Sequence, residues 1–371
     1  GPAPTRVDNA SLGLLNCRTM ALLEVDGDGR PDLVYTARPD LGVAYNRGAG
    51  SFESGASQVL DTTAAAAVVS VEGPPALFVV DDDGLAVHAL ADAPGIDHPR
   101  RYPLSPRRLG QVTSGDLDGD GYPDVVASAA PRAGTEPGLA VLWGSADTRF
   151  DRGLTMDVTL FGLAAADLDG ERGDELLGLE PSGALGVYRH IDGLLRLEHS
   201  QTLGEILFVV EMRTGDTDGD GNIDVMVLVT RAAEDEPWPL ELLELKGLGD
   251  GDLAAPTTRW SGVTLPARGP TPGPGLVVAD LDGDGLVDAA MHAGAGPQLT
   301  VAWGGGEVST LTQRTEALGV GDMDGDGLFD LLAGDAAQSR VFVVRGRAFC
   351  IESITTQYAK STKAGASAGF P

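Results

Sequence analysis

The clearest candidates for chemistry are four carboxylates in the short glycine-rich stretch from Asp116 to Asp124. They occupy positions 1, 3, 5 and 9 of a nine-residue loop, and glycines at positions 4 and 6 permit a tight turn. Calcium is a hard cation that takes six to eight oxygen ligands at about 2.3–2.6 Å. Alternate aspartates, together with the backbone carbonyl of Tyr122, supply oxygens that can converge on one point. The stretch therefore predicts a calcium-binding loop.

This loop begins like an EF-hand but ends differently. An EF-hand closes with glutamate at position 12 and continues as a helix. Here position 12 is Ala127, and Asp124 at position 9 closes the loop. The chain then continues through Val125, Val126 and Ala127, an apolar run that favours a β-strand. The acidic loop is therefore predicted to join two strands.

The same spacing recurs along the chain and gives six loops, which we number 1, 3, 4, 5, 6 and 7 after the repeat that contains each. The predicted ligands are the acids at positions 1, 3, 5 and 9 and the backbone carbonyl at position 7. These residues are Glu24, Asp26, Asp28, Arg30 and Asp32; Asp116, Asp118, Asp120, Tyr122 and Asp124; Asp167, Asp169, Glu171, Gly173 and Glu175; Asp216, Asp218, Asp220, Asn222 and Asp224; Asp280, Asp282, Asp284, Leu286 and Asp288; and Asp322, Asp324, Asp326, Leu328 and Asp330. A single such loop could be a solvated acidic hairpin, but six with one spacing favour calcium. Loop 4 is expected to be the weakest site, because Arg172 replaces the glycine at position 6.

The elements that position these loops are predicted to be short strands. In the third repeat we predict strands at 111–115, 125–129 and 139–143 and a more variable fourth strand near 154–160. The second repeat carries a hairpin between 65–71 and 76–80 in place of an acidic loop, and 81–84 is read as a later turn. Successive acidic loops in neighbouring repeats begin about 40–65 residues apart, a period typical of four-stranded propeller blades. The predicted fold is all-β, a seven-bladed β-propeller of four-stranded antiparallel blades with calcium loops in the A–B hairpins.

The ring needs a closing strand, and the two ends of the chain are the candidates. Residues 1–19 are predicted to be an N-terminal segment that can supply this strand, 20–355 the propeller, and 356–371 a Ser-, Thr-, Ala- and Gly-rich flexible tail or linker. Residues 348–355 are the alternative source of the closing strand. The two cysteines, Cys17 and Cys350, are predicted to form a disulfide at this seam, with two free buried thiols as the alternative.

The charge balance excludes some classes of partner. The formal net charge is −29, and the six loops supply 24 of the 55 acidic side chains. Six calcium ions would leave a net charge of −17, which still disfavours nucleic acid or anionic lipid as a partner. No apolar run is long enough to span a bilayer, so we expect no direct membrane insertion. Because such loops fill at millimolar calcium, we expect an extracellular, cell-surface or periplasmic location.

The repeated G-D-x-D-G-D-G-x-x-D pattern followed by an apolar residue resembles FG-GAP and VCBS repeats, which form the seven-bladed head of integrin α subunits. The resemblance covers roughly Met20 to Gly346, and Phe161-Gly162 is a partial trace of the Phe-Gly element. It implies a β-propeller with calcium in the A–B hairpins and an extracellular binding or adhesion role. In that family the calcium loops lie on the face opposite the usual ligand surface.

Other residues give weaker indications of a functional site. The histidines His88, His98, His190, His199 and His292 lack zinc-ligand spacing, and no nucleophile elbow, P-loop or dinucleotide fingerprint occurs. Tyr45, His88, Trp143, Tyr188 and Trp303 recur near the ends of the third strands, where packing between blades is the favoured interpretation and an aromatic ligand platform the alternative. Trp238, in a long acidic loop, is a candidate anchor for a partner, with loop packing as the alternative.

These observations predict a calcium-stabilised extracellular propeller that binds a protein or glycan ligand and is not an enzyme. One alternative is a polysaccharide-acting enzyme or lectin domain on a propeller scaffold, because paired carboxylates are the usual apparatus of glycoside cleavage. A structural spacer repeated on a cell surface is the third possibility.

Overall fold

The computed structural model describes most of the chain. The described residues are 6–8, 17–37, 40–48, 52–59, 66–70, 76–81, 84–89, 100–103, 109–129, 138–146, 149–150, 152–206, 208–231, 239–264, 275–293, 298–312, 315, 317–335 and 340–344. They contain no helix, and therefore none that is long and apolar enough to cross a membrane.

The described strands form seven four-stranded antiparallel sheets, which we call blades 1 to 7. β1 (Arg6–Asp8) precedes blade 1, which contains β2 (Cys17–Leu23), β3 (Asp32–Ala37), β4 (Asp40–Asn46) and β5 (Phe52–Val59). Blade 2 contains β6 (Ala66–Ser70), β7 (Ala76–Asp81), β8 (Gly84–Ala89) and β9 (Arg100–Tyr102), and blade 3 contains β10 (Leu109–Gly115), β11 (Asp124–Ala129), β12 (Leu139–Trp143) and β13 (Arg152–Met156). Blade 4 contains β14 (Phe161–Ala166), β15 (Glu175–Leu179), β16 (Ala184–Ile191) and β17 (Leu194–Thr202).

The remaining three blades follow the same plan. Blade 5 contains β18 (Phe208–Gly215), β19 (Asp224–Thr230), β20 (Pro239–Leu245) and β21 (Thr257–Thr264). Blade 6 contains β22 (Gly275–Ala279), β23 (Asp288–His292), β24 (Leu299–Ala302) and β25 (Val308–Leu311). Blade 7 contains β26 (Ala317–Gly321), β27 (Asp330–Asp335), β28 (Arg340–Val344) and, as its fourth strand, β1.

The blades form a closed ring. The first strand of each blade contacts the first strand of the next, and β26 of blade 7 contacts β2 of blade 1. β1 completes blade 7 by pairing with β28, with Arg6 opposite Phe342. Strands from the two ends of the chain therefore share one blade. The predicted all-β, seven-bladed propeller of four-stranded antiparallel blades is confirmed.

Burial explains why the second and third strands of the blades are mostly apolar. Every residue of β11, β12 and β15 with a described burial state is buried, because each sheet is covered on both faces by its neighbours. Outer strands differ, and β13 alternates between exposed and half-buried residues. Packing between blades 3 and 4 joins Val126, Trp143 and Leu176 in one core cluster. The core therefore lies in the seams between blades.

The fourth strand of blade 3 differs from its predicted bounds, and the strand ends in blade 2 agree with the predicted turn. In blade 3 the fourth strand, predicted near 154–160, spans Arg152–Met156, since its short and largely exposed sequence gives only a weak signal for the strand's bounds. In blade 2, β7 ends at Asp81 and β8 begins at Gly84, as the assignment of 81–84 to a turn requires. The domain bounds stay predictions. Cys350 lies outside the described residues, as does the alternative closing segment 348–355, so the disulfide also stays a prediction.

Candidate metal centres

All six acidic loops join the first and second strands of their blades, as predicted. Neighbouring loops contact one another around one face of the ring. The Asp174 backbone N–H donates to the Asp116 carbonyl over 2.7 Å, and the Val287 N–H donates to the Asp216 carbonyl over 3.1 Å. The Asn46 side-chain amide donates to the Met323 carbonyl over 2.9 Å and links loop 7 to blade 1. Hydrogen bonds therefore link loop 3 to loop 4, loop 5 to loop 6, and loop 7 to blade 1.

Backbone N–H groups of each loop converge on the carboxylate at position 1. In loop 6, the Gly283 and Gly285 backbone N–H groups donate to the two oxygens of Asp280 over 2.7 and 2.9 Å. Both glycines have left-handed backbones, with φ of 77° and 88°, which a residue with a side chain rarely adopts. Asp322 of loop 7 accepts the equivalent bonds. Glycines at positions 4 and 6 are therefore required by the turn itself.

The acid at position 9 is buried and joins two turns of its blade. In loop 3, Asp124 accepts the Leu117 N–H on one oxygen over 2.8 Å and the Gly144 N–H on the other over 2.7 Å. Gly144 follows the third strand, so this carboxylate connects the A–B loop with the C–D turn. Asp32, Asp224 and Asp288 accept corresponding pairs of bonds in blades 1, 5 and 6. Position 9 thus has a structural role that spacing alone does not show.

Burial changes the ionisation of these closing carboxylates. Desolvation raises the pKa of Asp124 to about 7 and that of Asp288 to about 6, against the bonds from the backbone N–H groups, which lower it. Burial also raises the pKa of Glu175 to about 7, and the nearby charges of Asp167 and Asp174 raise it further. A nearby divalent cation would favour the charged form of each. Metal binding at these loops is therefore expected to release protons.

The acids at positions 1, 3 and 9 come together in space. In loops 1, 3, 4, 5 and 6, each of these three side chains places one carboxylate oxygen within 4.8 Å of the other two. The position 5 carboxylate instead accepts the N–H of position 7, as in the 3.0 Å bond from Tyr122 to Asp120. Loop 7 has the same backbone bonds as loop 6. The structure therefore brings together three of the four predicted acids of a loop, and the full ligand sets stay predictions.

Two loops contain buried carboxylate oxygens that suit a cation. Glu24 Oε2 in loop 1 and Asp118 Oδ1 in loop 3 are buried and accept no hydrogen bond from the residues that the structure describes. A buried anionic oxygen without a donor is unfavourable unless a cation compensates it. Both oxygens belong to the clusters that could hold a metal ion. The donor set, which is entirely oxygen, is that of a calcium or magnesium site.

Loop 4 departs from the pattern in two ways. Its second left-handed residue is Gly173 with φ of 102°, one position later than in the other loops, because position 6 is Arg172. Its acids also surround a guanidinium: Arg189 contacts Asp169 closely and bonds Glu175 through Nε over 3.1 Å. Sequence analysis missed Arg189.

Loop 5 contains an ammonium group among its acids. Lys246 Nζ lies 3.0 Å from Asp224, 3.1 Å from Asp218 and 3.2 Å from the buried Glu244. Burial alone would raise the pKa of Asp224, but bonds from the Thr217 side chain, the Gly247 and Thr217 N–H groups and Lys246 outweigh it and lower that pKa. Asp224 is therefore a charged group with a partner, unlike Asp124.

The aromatic residues at the ends of the third strands are mainly packing residues. Trp143, Tyr188 and Tyr45 are buried in clusters shared between neighbouring blades, which supports the packing interpretation. The register corrects their equivalence, because Leu176 pairs with Tyr188 as Val125 pairs with Leu142. Arg189, and not Tyr188, therefore corresponds to Trp143. Trp238 and His98 lie outside the described residues.

An open polar cavity of about 570 Å³ lies beside loop 4, between blades 4 and 5. Asp169, Glu171, Arg189 and His199 are among the residues that line it. The His199 Nδ1 atom lies 2.7 Å from Asp252, which belongs to blade 5. The acids of loop 4 are therefore accessible to ions from solvent.

Comparison with known proteins supports the fold and the repeat. Residues 110–143, which include loop 3, match the family model of the FG-GAP repeat. The predicted resemblance to an FG-GAP propeller is thus confirmed by this repeat and by the seven-bladed ring. No curated protein matches the chain.

Several solved structures share the fold at low sequence identity. A lectin from Agrocybe aegerita that recognises non-reducing terminal N-acetylglucosamine has a TM-score of 0.52 and 14% identity, with 81% of each chain covered. The N-terminal domain of Nup159 has a TM-score of 0.53 and 9% identity, with 90% of each chain covered. BBS1N, in complex with ARL6DN, has a TM-score of 0.54 and 15% identity, covering 88% of this chain and 91% of that one. At these identities the similarity establishes the fold alone.

Proposed function

We propose that this chain is a calcium-stabilised extracellular propeller that binds a protein or glycan ligand in adhesion, with the metal ions in a structural role. The observation that carries the proposal is the repeated cluster of three carboxylates, at positions 1, 3 and 9, on one face of a closed ring. One such cluster would be an ordinary acidic turn. Its repetition at the same place in successive blades is typical of a scaffold built around a metal.

The physical reason for a structural role is the mutual repulsion of the acids in each loop. Three carboxylate oxygens held within 4.8 Å of one another repel until a cation neutralises them. Metal binding is therefore linked to folding, since the unfolded chain does not assemble the cluster. A site at ten times its Kd contributes about 1.4 kcal/mol, so several sites together contribute as much as a small domain's whole stability.

The proposed location follows from the metal. Loops of this type need calcium at concentrations found outside the cytosol to be filled. The net charge of −29 agrees with this environment and disfavours nucleic acid and anionic membranes as partners.

We place the ligand on the face opposite the acidic loops. Several loops of one face are already hydrogen-bonded to their neighbours and are expected to hold metal. Propellers of this fold bind a glycan, as the Agrocybe aegerita lectin does, or occur in a protein complex, as BBS1N does. Both ligand classes are therefore part of the proposal, and a catalytic role is not.

The metal role is tested by thermal unfolding in millimolar calcium, in EGTA and in EGTA followed by excess calcium. We expect a large fall in Tm on chelation and full recovery on return of calcium. Sodium chloride at matched ionic strength is the control. An unchanged Tm in EGTA would refute the structural metal.

The binding role is tested with a glycan array and an extracellular-protein array, each probed with the calcium-loaded chain. We expect saturable binding to one ligand class without turnover. A polysaccharide hydrolase and lyase screen on the same preparation tests the alternative enzymatic function, and turnover there would replace the adhesion proposal. No saturable ligand in either array would leave the spacer function as the better account.

A further inference from the structure

We propose that loops 4 and 5 do not bind calcium, because each already holds a cation of the chain itself: Arg189 in loop 4 and Lys246 in loop 5. The inference rests on the proposed function, since it concerns which loops recruit the metal. It replaces the expected six sites with at most four, in loops 1, 3, 6 and 7.

The geometry of loop 5 is that of an occupied cation site. Lys246 Nζ lies within 3.0–3.2 Å of oxygens from Asp218, Asp224 and Glu244, and it bonds Thr217 Oγ1 over 2.6 Å. Asp218 and Asp224 are the position 3 and position 9 acids of this loop. The ammonium thus binds the oxygens that a metal would need, with 29% of the lysine side chain exposed.

Loop 4 has the same arrangement with a guanidinium. Arg189 contacts Asp169 at position 3, Glu175 at position 9 and, through Nη1 over 3.7 Å, Glu171 at position 5. Glu198 of the outer strand adds a further contact of 3.1 Å. Only 26% of the Arg189 side chain is exposed. One arginine therefore engages three of the four predicted acids of this loop, although the adjacent cavity leaves the loop open to solvent ions.

The two cations occupy one equivalent place in their blades. The residue after the last pair between the second and third strands is Tyr45, Trp143, Arg189, Lys246 and Trp303 in blades 1, 3, 4, 5 and 6. We call this place the strand-end position. It is aromatic in the blades of loops 1, 3 and 6 and cationic in those of loops 4 and 5. In blade 7 it falls on residue 345, which lies outside the described residues.

Arginines near loops 1 and 3 do not occupy the strand-end position. Arg47 contacts Asp26 over 2.7 Å, but its guanidinium lies over the Tyr45 ring and 41% of its side chain is exposed. Arg152 contacts Asp118 over 3.2 Å and is 70% exposed. The buried acids of these loops, Asp32 and Asp124, accept their bonds from backbone N–H groups. A hydrated calcium ion can displace such exposed side chains.

Electrostatics explains why a strand-end cation excludes the metal. Calcium would share carboxylates with an ammonium or guanidinium a few ångströms away, and like charges at that distance repel strongly in a partly buried site. The side chain also belongs to the same blade as the loop, so it competes with calcium at a high effective concentration. Lys246 and Arg189 therefore take the place of the ion as the counter-charge to the acids in their blades.

The test counts calcium ions per chain by native mass spectrometry and calorimetric titration. Asp118→Asn in loop 3 and Asp218→Asn in loop 5 remove the equivalent position 3 acid. We expect at most four ions in the wild type, a loss of one ion in D118N and no loss in D218N. Lys246→Met removes the charge at similar volume, and we expect it to gain one ion, whereas Lys246→Arg gains none.

The outcomes separate this inference from the proposed function. The inference would be refuted if D218N bound one ion fewer than the wild type, or if a folded K246M variant bound no additional ion. Either result would leave the calcium-stabilised propeller intact. A wild type that binds no calcium would refute the proposed function, and the K246M variant would then have no metal-binding loop to match. Should K246M fail to fold, the reciprocal Trp303→Lys variant decides: we expect it to lose one ion from loop 6, and an unchanged count would refute the inference.

Discussion

Loops 3 and 5 share one backbone design and the same four acids, but their closing carboxylates behave in opposite ways. Burial raises the pKa of Asp124 to about 7, whereas the bonds from Thr217, Gly247 and Lys246 outweigh burial and lower that of Asp224. The residue at the strand-end position is Trp143 in one blade and Lys246 in the other. The comparison teaches that a metal-loop motif fixes the positions of the acids, and that a residue from a neighbouring strand decides which cation balances them.

The largest expected difference between the two regions is their response to calcium removal. In EGTA, we expect amide exchange to accelerate about tenfold or more in loops 3 and 6, whose acids lose their counterion. Loop 5 should keep its protection, because Lys246 stays in place. Hydrogen exchange measured by mass spectrometry, with and without calcium, resolves the loops as separate peptides. Equal acceleration in loops 3 and 5 would remove the distinction.

The closing acids give the next largest effect. In EGTA at pH 6, Asp224→Asn should destabilise the chain by about 2–4 kcal/mol, because Lys246 loses a buried partner. Asp124→Asn should cost less under the same conditions, about 1–2 kcal/mol, because its amide oxygen replaces only one of the two carboxylate oxygens that accept backbone N–H bonds, but no ammonium loses a partner. Chemical denaturation of both variants checks the difference. A larger loss in D124N than in D224N would contradict the contrast between the loops.

The pH dependence of stability should largely disappear with calcium. Asp124 and Asp288 have raised pKa values of about 7 and about 6 in the folded state, so without metal the folded chain binds protons that the unfolded chain releases. Stability in EGTA should therefore fall as pH rises from about 5 to 7, by up to about 1.4 kcal/mol per pH unit for each acid. In calcium it should stay nearly constant over the same range, because the bound ion keeps these carboxylates charged, as they are in the unfolded chain. Denaturant unfolding at several pH values tests this, and parallel curves in the two buffers would contradict it.

The smallest effect is expected at an exposed arginine. Arg152→Ala removes a contact of 3.2 Å to Asp118 from a side chain that is 70% exposed, so stability in EGTA should change by less than about 0.5 kcal/mol. Calcium affinity of loop 3 should increase slightly, because one competing cation is gone. Denaturant unfolding in EGTA measures the stability, and titration calorimetry measures the calcium affinity, each against the wild type. Loss of a calcium ion in this variant would show that Arg152 supports the site.

Much of the fold was predictable because it depends on periodic signals. The spacing of acids and glycines from Asp116 to Asp124 indicated the loop, and its recurrence indicated the blades. The strand whose bounds differed, β13, is a short, largely exposed outer strand with a weak sequence signal. Closure by β1 depends on a pairing between residues more than three hundred positions apart, and sequence left two candidates for it.

The counterions were not predictable from spacing. Lys246 lies more than twenty residues after Asp224, and only the strand register brings it to the loop. Tyr188 resembled Trp143 in sequence, but the pairing of β15 with β16 places Arg189 in the equivalent position. One signal was present: Lys246 is the only lysine before residue 360. A lone lysine after a strand in an acidic chain could have been weighed as a partner of the preceding loop.

The account is tested most directly by a crystal structure of the chain grown in calcium, with anomalous scattering used to locate the ions. It predicts anomalous peaks between the acids at positions 1, 3 and 9 of loops 1, 3 and 6, and Lys246 and Arg189 in place in loops 5 and 4. Loops 3 and 6 without a metal peak in saturating calcium would contradict the calcium-stabilised propeller.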